Sequence, residues 1–197
     1  MALPYNAIAV DVLSAAYLAP DVRDKLAAVS LELGGVAIND GSQGREVRVW
    51  RARISDDGTQ VLVEPEDESI APLVFVTDAG ITECSLAFDS NMQPTVAYVA
   101  AGLVKLRWFS TIAGTFTTTS YAGASSPRVC TDDKRLAQFT ASDVIFAYVR
   151  DGVLYWRQQR DRYTVERQVG PALYPLRRVG MNAERRLQFE LTPEGAA

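Results

Sequence analysis

There is no histidine anywhere in this 197-residue chain. Its absence removes the commonest general base, the usual zinc ligand and every relay that pairs a serine or cysteine with an imidazole. Lysine is nearly as scarce: Lys25, Lys105 and Lys134 are the only three among 20 basic residues. Arginine forms bidentate contacts, stacks on rings and tolerates partial desolvation, so the bias suits a protein interface as well as it suits a G+C-rich genome. Only two cysteines occur, Cys84 and Cys130. Two are too few for a disulfide framework and predict buried, reduced thiols.

No apolar run approaches the ~20 residues of a membrane span. The opening Met1-Ala-Leu-Pro lacks the basic start of an export signal, and the apolar stretch from Ala7 is broken by Asp11 and Pro20. The expectation is a chain of intracellular origin with no membrane span. A net charge of −4 offers no bulk attraction to nucleic acid. That charge is uneven, because residues 150–197 hold nine arginines against six acids and leave −7 on the remainder.

What the chain does contain is an internal repeat. Ala97-Tyr98-Val99, followed two residues later by Gly102, recurs 50 residues on as Ala147-Tyr148-Val149 and Gly152. Val153-Leu-Tyr-Trp156-Arg157 has an earlier counterpart in Val47-Arg-Val-Trp50-Arg51, and a looser one in Val104-Lys-Leu-Arg-Trp108. Short alternating strands repeating over roughly 40–50 residues mark a propeller blade or a related stacked unit. The sequence therefore predicts a mainly β fold of repeated antiparallel sheets, propeller-blade-like or a β-sandwich. Strands are expected near Leu73–Val76, Thr82–Phe88, Thr95–Val99, Leu103–Phe109, Phe116–Tyr121, Val129–Thr131, Val144–Val149, Val153–Gln158, Tyr163–Val169, Leu176–Gly180 and Arg186–Leu191. Hairpin turns fall at Asp56-Asp57-Gly58 and Asp151-Gly152, with loops at Glu64–Glu68 and Tyr121–Pro127.

Residues 1–33 read as a separate N-terminal arm that docks on a neighbour, and residues 34–197 as the β-rich domain. Val22, Leu26, Val29 and Leu33 follow helical spacing after an Asp21 cap, although Val29–Leu33 also alternates as a strand would. Three recognisable units are fewer than the ~4–8 blades of a closed propeller. An open sandwich or completion by partner copies follows, and a homo-oligomer is the expected state.

Candidate chemistry is sparse. Asp40, Asp56-Asp57 and Asp132-Asp133 could serve a carboxylate mechanism, but each lies in a turn where aspartate shapes the backbone. Ser55-Asp-Asp-Gly-Thr59 is similar to the structural Asp-box turn of sialidase propellers, one residue short. Asn39-Asp-Gly-Ser-Gln-Gly44 has Trp50 where a calcium loop would carry its twelfth-position acid. Tyr155-Trp-Arg-Gln-Gln-Arg160-Asp-Arg-Tyr163 could stack on single-stranded nucleic acid, yet its alternation predicts a twisted hairpin with charges outward and Asp161 and Glu166 as pairing acids. The reading is of no catalytic, cofactor-binding or metal-binding residue, and of no nucleic-acid partner.

Several segments resemble a class of tailed-bacteriophage structural proteins. They are Ser85-Leu-Ala-Phe-Asp89, Gln93–Val99, Ser126-Pro-Arg128, Thr131–Arg135, Ser142–Arg162, Val179–Asn182 and Arg186–Phe189, and the resemblance extends over roughly residues 34–191. The resemblance implies a non-enzymatic virion component of the tail, baseplate, neck or fibre, made in the host cytoplasm and assembled with other virion proteins. A host-receptor or carbohydrate-binding module is the alternative, with Trp50, Trp108 and Trp156 as candidate stacking rings for a host surface glycan.

Overall fold

The computed structural model describes residues 7–9, 36–39, 47–65, 71–89, 93–132, 143–181 and 186–192. The fold is mainly β, as the sequence predicts, and its one helical element among the described residues is a 3-10 turn at Gln159–Asp161. Among the described residues, fifteen strands form four antiparallel sheets. The first sheet holds β1 (Ala7–Ala9), β2 (Val36–Asn39), β3 (Val47–Ile54), β4 (Gln60–Pro65) and β5 (Leu73–Thr77), in that order. The second is β6 (Ile81–Phe88), β7 (Pro94–Ala100), β8 (Leu103–Ser110) and β9 (Thr115–Tyr121). The third is β10 (Ala124–Thr131), β11 (Val144–Arg150), β12 (Val153–Gln158) and β13 (Arg167–Pro171). Among the described residues the fourth has two strands, β14 (Leu176–Met181) and β15 (Leu187–Leu191).

Every sheet is a meander in chain order, and the sheets stack face to face through three apolar layers. Trp50, Ala52, Val61 and Val63 of the first sheet pack against Leu86, Phe88, Val96 and Tyr98 of the second. The opposite face of the second sheet, with Ala97, Val104, Leu106 and Trp108, meets Val129, Val144, Phe146 and Tyr148 of the third. The third sheet's other face presents Cys130, Ile145, Ala147 and Leu154 to Leu176, Val179 and Met181 of the fourth. The central strands are apolar at nearly every position because both of their faces are covered, the pattern of a strand sandwiched between layers. This is a blade-like stack.

Positive-φ residues make the sharp turns. Ala101-Gly102 (φ 50 and 75) and Asp151-Gly152 (φ 52 and 71) link second to third strands by two-residue hairpins whose left-handed geometry matches the strand twist. The predicted 50-residue repeat is thereby realised in register: Ala97 lies opposite Leu106, and Ala147 opposite Trp156.

Other expectations need correction. Trp50 and Trp156 are not at equivalent positions, because β3 is the strand before the hairpin turn and β12 the strand after it. Cys84 and Cys130 both lie on the first strand of a meander but at different registers, Cys84 opposite Tyr98 and Cys130 opposite Ile145. Both thiols are free; Cys130 is buried and Cys84 half-buried. The expected loop at Tyr121–Pro127 is mostly strand. β10 starts at Ala124 and absorbs Ser126 as a bulge with φ 52. The strand expected at Tyr163–Val169 begins only at Arg167, since Arg162 and Tyr163 (φ 53 and 57) continue the 3-10 turn in left-handed geometry. The helix proposed over Val22–Leu33, with Asp40, Asp133 and the loop Gly41–Gly44, lies outside the described residues.

Candidate functional site

Charged side chains converge at three places, each set by the stacking. The largest group lies between the second and third sheets. Tyr148 of β11 donates its hydroxyl to Glu166, and Arg157 of β12 donates Nε to the Tyr148 oxygen at 2.9 Å. Arg157 Nη2 and Arg150 Nη2 donate to the two Glu166 oxygens at 2.7 and 2.5 Å. The Arg157 guanidinium also lies over the Tyr121 ring, 5.1 Å from its centroid, and gives hydrogen bonds to the carbonyls of Tyr163 and Thr164. Burial alone would raise the Glu166 carboxyl, but the three donors outweigh it and hold it below its usual value. Burial pushes the Tyr148 phenol up to about 12. The sequence expectation of outward charges on this hairpin fails at Arg157, which points into the layer. Its acids do pair as expected, Asp161 with Arg167 and Glu166 with Arg150 and Arg157.

A smaller version stands one layer earlier. Tyr98, the repeat equivalent of Tyr148, donates to Asp78 at 3.3 Å, and Lys105 Nζ donates to the same oxygen at 2.6 Å. The Lys105 hydrogen bond is the main reason that the Asp78 carboxyl is held low. Arg107, the equivalent of Arg157, sits 5.5 Å from the Phe75 and Phe116 ring centroids. Both layers thus set a tyrosine hydroxyl and a cation on one partly exposed carboxylate, with an arginine lying over neighbouring rings.

The third place is the end of the first strand of each meander. Asp89 follows β6 and accepts the Gln93 amide at 2.9 Å; Asp132 follows β10 and accepts the Asp143 amide at 3.1 Å. In each case the carboxylate closes the connection to the second strand. Gln159 ties the two sheets together at this end, giving Nε2 to Asp89 at 2.9 Å and accepting the Val144 amide at 3.0 Å. Arg160 bridges Asp132 and Asp143. An aspartate directly after an apolar run was the signal that could have exposed this rule.

Arg128 acts across sheets as well, linking Glu83 of β6 at 2.6 Å to the Arg177 carbonyl of β14 at 2.8 Å. Glu64, expected in a loop, lies buried in β4 between Arg51 and Arg53, at 2.7 and 3.0 Å. Asp57 serves its turn: it accepts Ser55 Oγ at 2.6 Å and the Thr59 amide at 3.0 Å. The hydroxyls of Ser55 and Thr59 are what hold its carboxyl low. Among the described residues the carboxylates nominated from the sequence are not brought together; Asp57 and Asp132 belong to different sheets and different networks. Trp50 is 1% exposed, Trp108 is buried, and the half-buried Trp156 ring carries the Arg167 guanidinium 4.7 Å from its centroid.

Among the described residues, no group of three or more Cys, Asp or Glu is placed to hold a metal ion. No helix among them is long and apolar enough to cross a membrane. Exposed apolar side chains concentrate in one segment, Val165–Tyr174, which runs along β13 into the connection to β14. There Leu173 is 84% exposed, with Val165, Val169 and Tyr174 each near half. Neither a family model, nor a curated protein, nor a solved structure matches this chain.

Proposed function

We propose that this chain is a non-enzymatic structural component of a tailed-bacteriophage virion, working by assembly with neighbouring subunits. The observation that carries the reading is the Val165–Tyr174 segment. β13 pairs only with β12 among the described residues, so one row of its main-chain groups is unpaired, beside exposed Val165, Val169, Leu173 and Tyr174. An unpaired strand edge flanked by apolar side chains is a surface that other chains cover. Arg167 within the segment, and Arg162 and Arg177 close to it along the chain, offer the polar side chains common at interface rims. The commitment of Asp57, Asp78, Asp89, Asp132 and Glu166 to structural hydrogen bonds supports a non-enzymatic role. Resemblance to phage structural proteins supplies the setting.

The carbohydrate-binding alternative has less behind it, since two tryptophans offer no open ring face and the third is capped by Arg167. The test has two arms: the native mass of the full chain, and antibody labelling of phage particles. Assembly that weakens in a Leu173→Asp variant, with labelled particles, supports the proposal. A monomer at every concentration together with unlabelled particles sinks it.

A further inference from the structure

Two aspartate–glycine pairs stand in turns among the described residues, and the fold treats them in opposite ways. Asp57-Gly58 lies between β3 and β4, and Asp151-Gly152 between β11 and β12. Both aspartates are exposed. In such a pair the glycine amide nitrogen can attack the preceding carboxyl carbon, because no Cβ on the glycine blocks the approach. Reaction then depends on whether the fold leaves the nitrogen and the carboxyl free to meet.

At Asp57-Gly58 both groups are held. The carboxylate accepts Ser55 Oγ at 2.6 Å, the Thr59 amide at 3.0 Å and Thr59 Oγ1 at 2.8 Å. Those bonds favour the ionised form, which has no hydroxyl to lose as water. The Gly58 amide donates to the Ser55 carbonyl at 2.8 Å, and the Gly58 carbonyl accepts the Ile81 amide at 2.8 Å. Asp151-Gly152 is built otherwise. Among the described residues nothing bonds the Asp151 carboxylate or accepts the Gly152 amide. The pair is anchored by the Gly152 carbonyl, which accepts the Ala172 amide at 2.7 Å. Its chain neighbours aside, no atom lies within 4 Å of where a Gly152 Cβ would stand. Asp151 itself is left-handed, φ 52, so the swing that carries the amide nitrogen onto the carboxyl begins from an unfavourable backbone conformation.

We propose that Asp151 is a site of spontaneous isoaspartate formation. The Gly152 nitrogen bonds to the carbon of the protonated Asp151 carboxyl, and the amide proton leaves with the carboxyl hydroxyl as water, closing a five-membered succinimide. Water then adds to one of the two ring carbonyls and breaks its C–N bond. Opening at the side-chain carbonyl restores aspartate; opening at the main-chain carbonyl leaves the backbone running through the side chain as isoaspartate. Nothing is oxidised or reduced, and the water lost is regained. The product inserts an extra carbon into the main chain of a two-residue turn, so the Arg150–Val153 pair that closes the hairpin has to open or shift. Arg150 is one of the two arginines on Glu166, and the modification thereby reaches the largest ionic group between the second and third sheets. This inference is independent of the virion proposal, which concerns the β13 edge.

Prolonged incubation of the full chain near neutral pH tests it, followed by peptide mapping and methylation of isoaspartyl carboxyls with an isoaspartyl methyltransferase. The peptide holding Asp151 is expected to gain isoaspartate at least about tenfold faster than the peptide holding Asp57, whose charged hydrogen bonds must first break. Asp151→Ala should abolish the signal and keep the fold, because Ala101 already takes the equivalent place at φ 50 before Gly102. A Ser55→Ala/Thr59→Ala variant frees the Asp57 carboxylate of its side-chain donors and is expected to raise its rate towards that of Asp151. Equal rates at the two sites in the unaltered chain overturn the proposal. So does an Asp151 peptide that stays unmodified in the folded chain while the urea-unfolded chain forms isoaspartate there.

Discussion

The layer between the second and third sheets and the layer between the third and fourth use the same positions differently. Leu106 and Trp156 are repeat equivalents, each facing the next sheet. Leu106 is 0% exposed, whereas the larger Trp156 is only half-buried. The difference lies in what covers them: four strands over Leu106, two over Trp156. Arg167 settles over the open indole, and Leu187, Phe189 and Leu191 share the thinner cover. Burial in this fold is thus a property of the neighbouring sheet more than of the residue. Under the two described strands of the fourth sheet Ala147 and Leu154 are still buried, whereas Trp156 is not.

The comparison can be broken by substitution. Phe146→Ala, within the fuller layer, is expected to cost about 3–5 kcal/mol and Leu106→Ala about 2–5 kcal/mol, read from urea unfolding. Trp156→Ala should cost clearly less than Phe146→Ala, and equal losses would erase the contrast between layers. The next effect comes from the ionic group that only the fuller layer has at full size. Glu166→Gln leaves Arg150 and Arg157 without a carboxylate, and a loss of roughly 1–3 kcal/mol is expected. The same variant should lower the alkaline titration of Tyr148 from about 12, because Glu166 is one of the groups that raise it.

Acid should act on both layers. The carboxyls of Asp78 and Glu166 are lowered in the folded chain, so the unfolded chain binds more protons once the pH drops to the ordinary carboxylate range. Their stabilisation is present above about pH 4.5 and fades as the pH falls through the folded values. Denaturant midpoints at pH 7, 4 and 3 check this, and a flat profile would mean that neither network contributes. The alkaline side has the opposite cause: burial raises Tyr98, Tyr121 and Tyr148 to about 12, so stability should decline between their ordinary value and that point. The smallest expected effect is at Tyr121, whose buried hydroxyl has no protein partner. Tyr121→Phe should leave stability unchanged or raise it by up to about 1 kcal/mol.

Much of the architecture was legible because alternation and turn chemistry are local. Asp151-Gly152 and Asp56-Asp57-Gly58 announce their hairpins through residues that accept left-handed or tight geometry, and β12 falls where Val153–Gln158 was expected. The errors arose where a distant strand decides. Ser126 reads as loop because a bulge looks like one from sequence, and only the pairing of its neighbours with β11 makes Ala124–Thr131 a strand. The acidic neighbours of Glu64 imply a solvent loop, but Arg51 and Arg53 come from the paired strand and hold it inside. Trp50 and Trp156 share neighbouring letters but not a place in the strand order.

By itself, the sequence determined the class of fold, the tight hairpins and the roughly fifty-residue recurrence, since each depends on neighbours within a few positions along the chain. Tertiary structure alone decided which faces are covered, that Arg157 turns inward to meet Glu166, and that the last sheet stops at two described strands. Those outcomes depend on contacts between residues tens of positions apart, whose geometry is set by how the sheets stack and leaves no periodic trace in the amino-acid order.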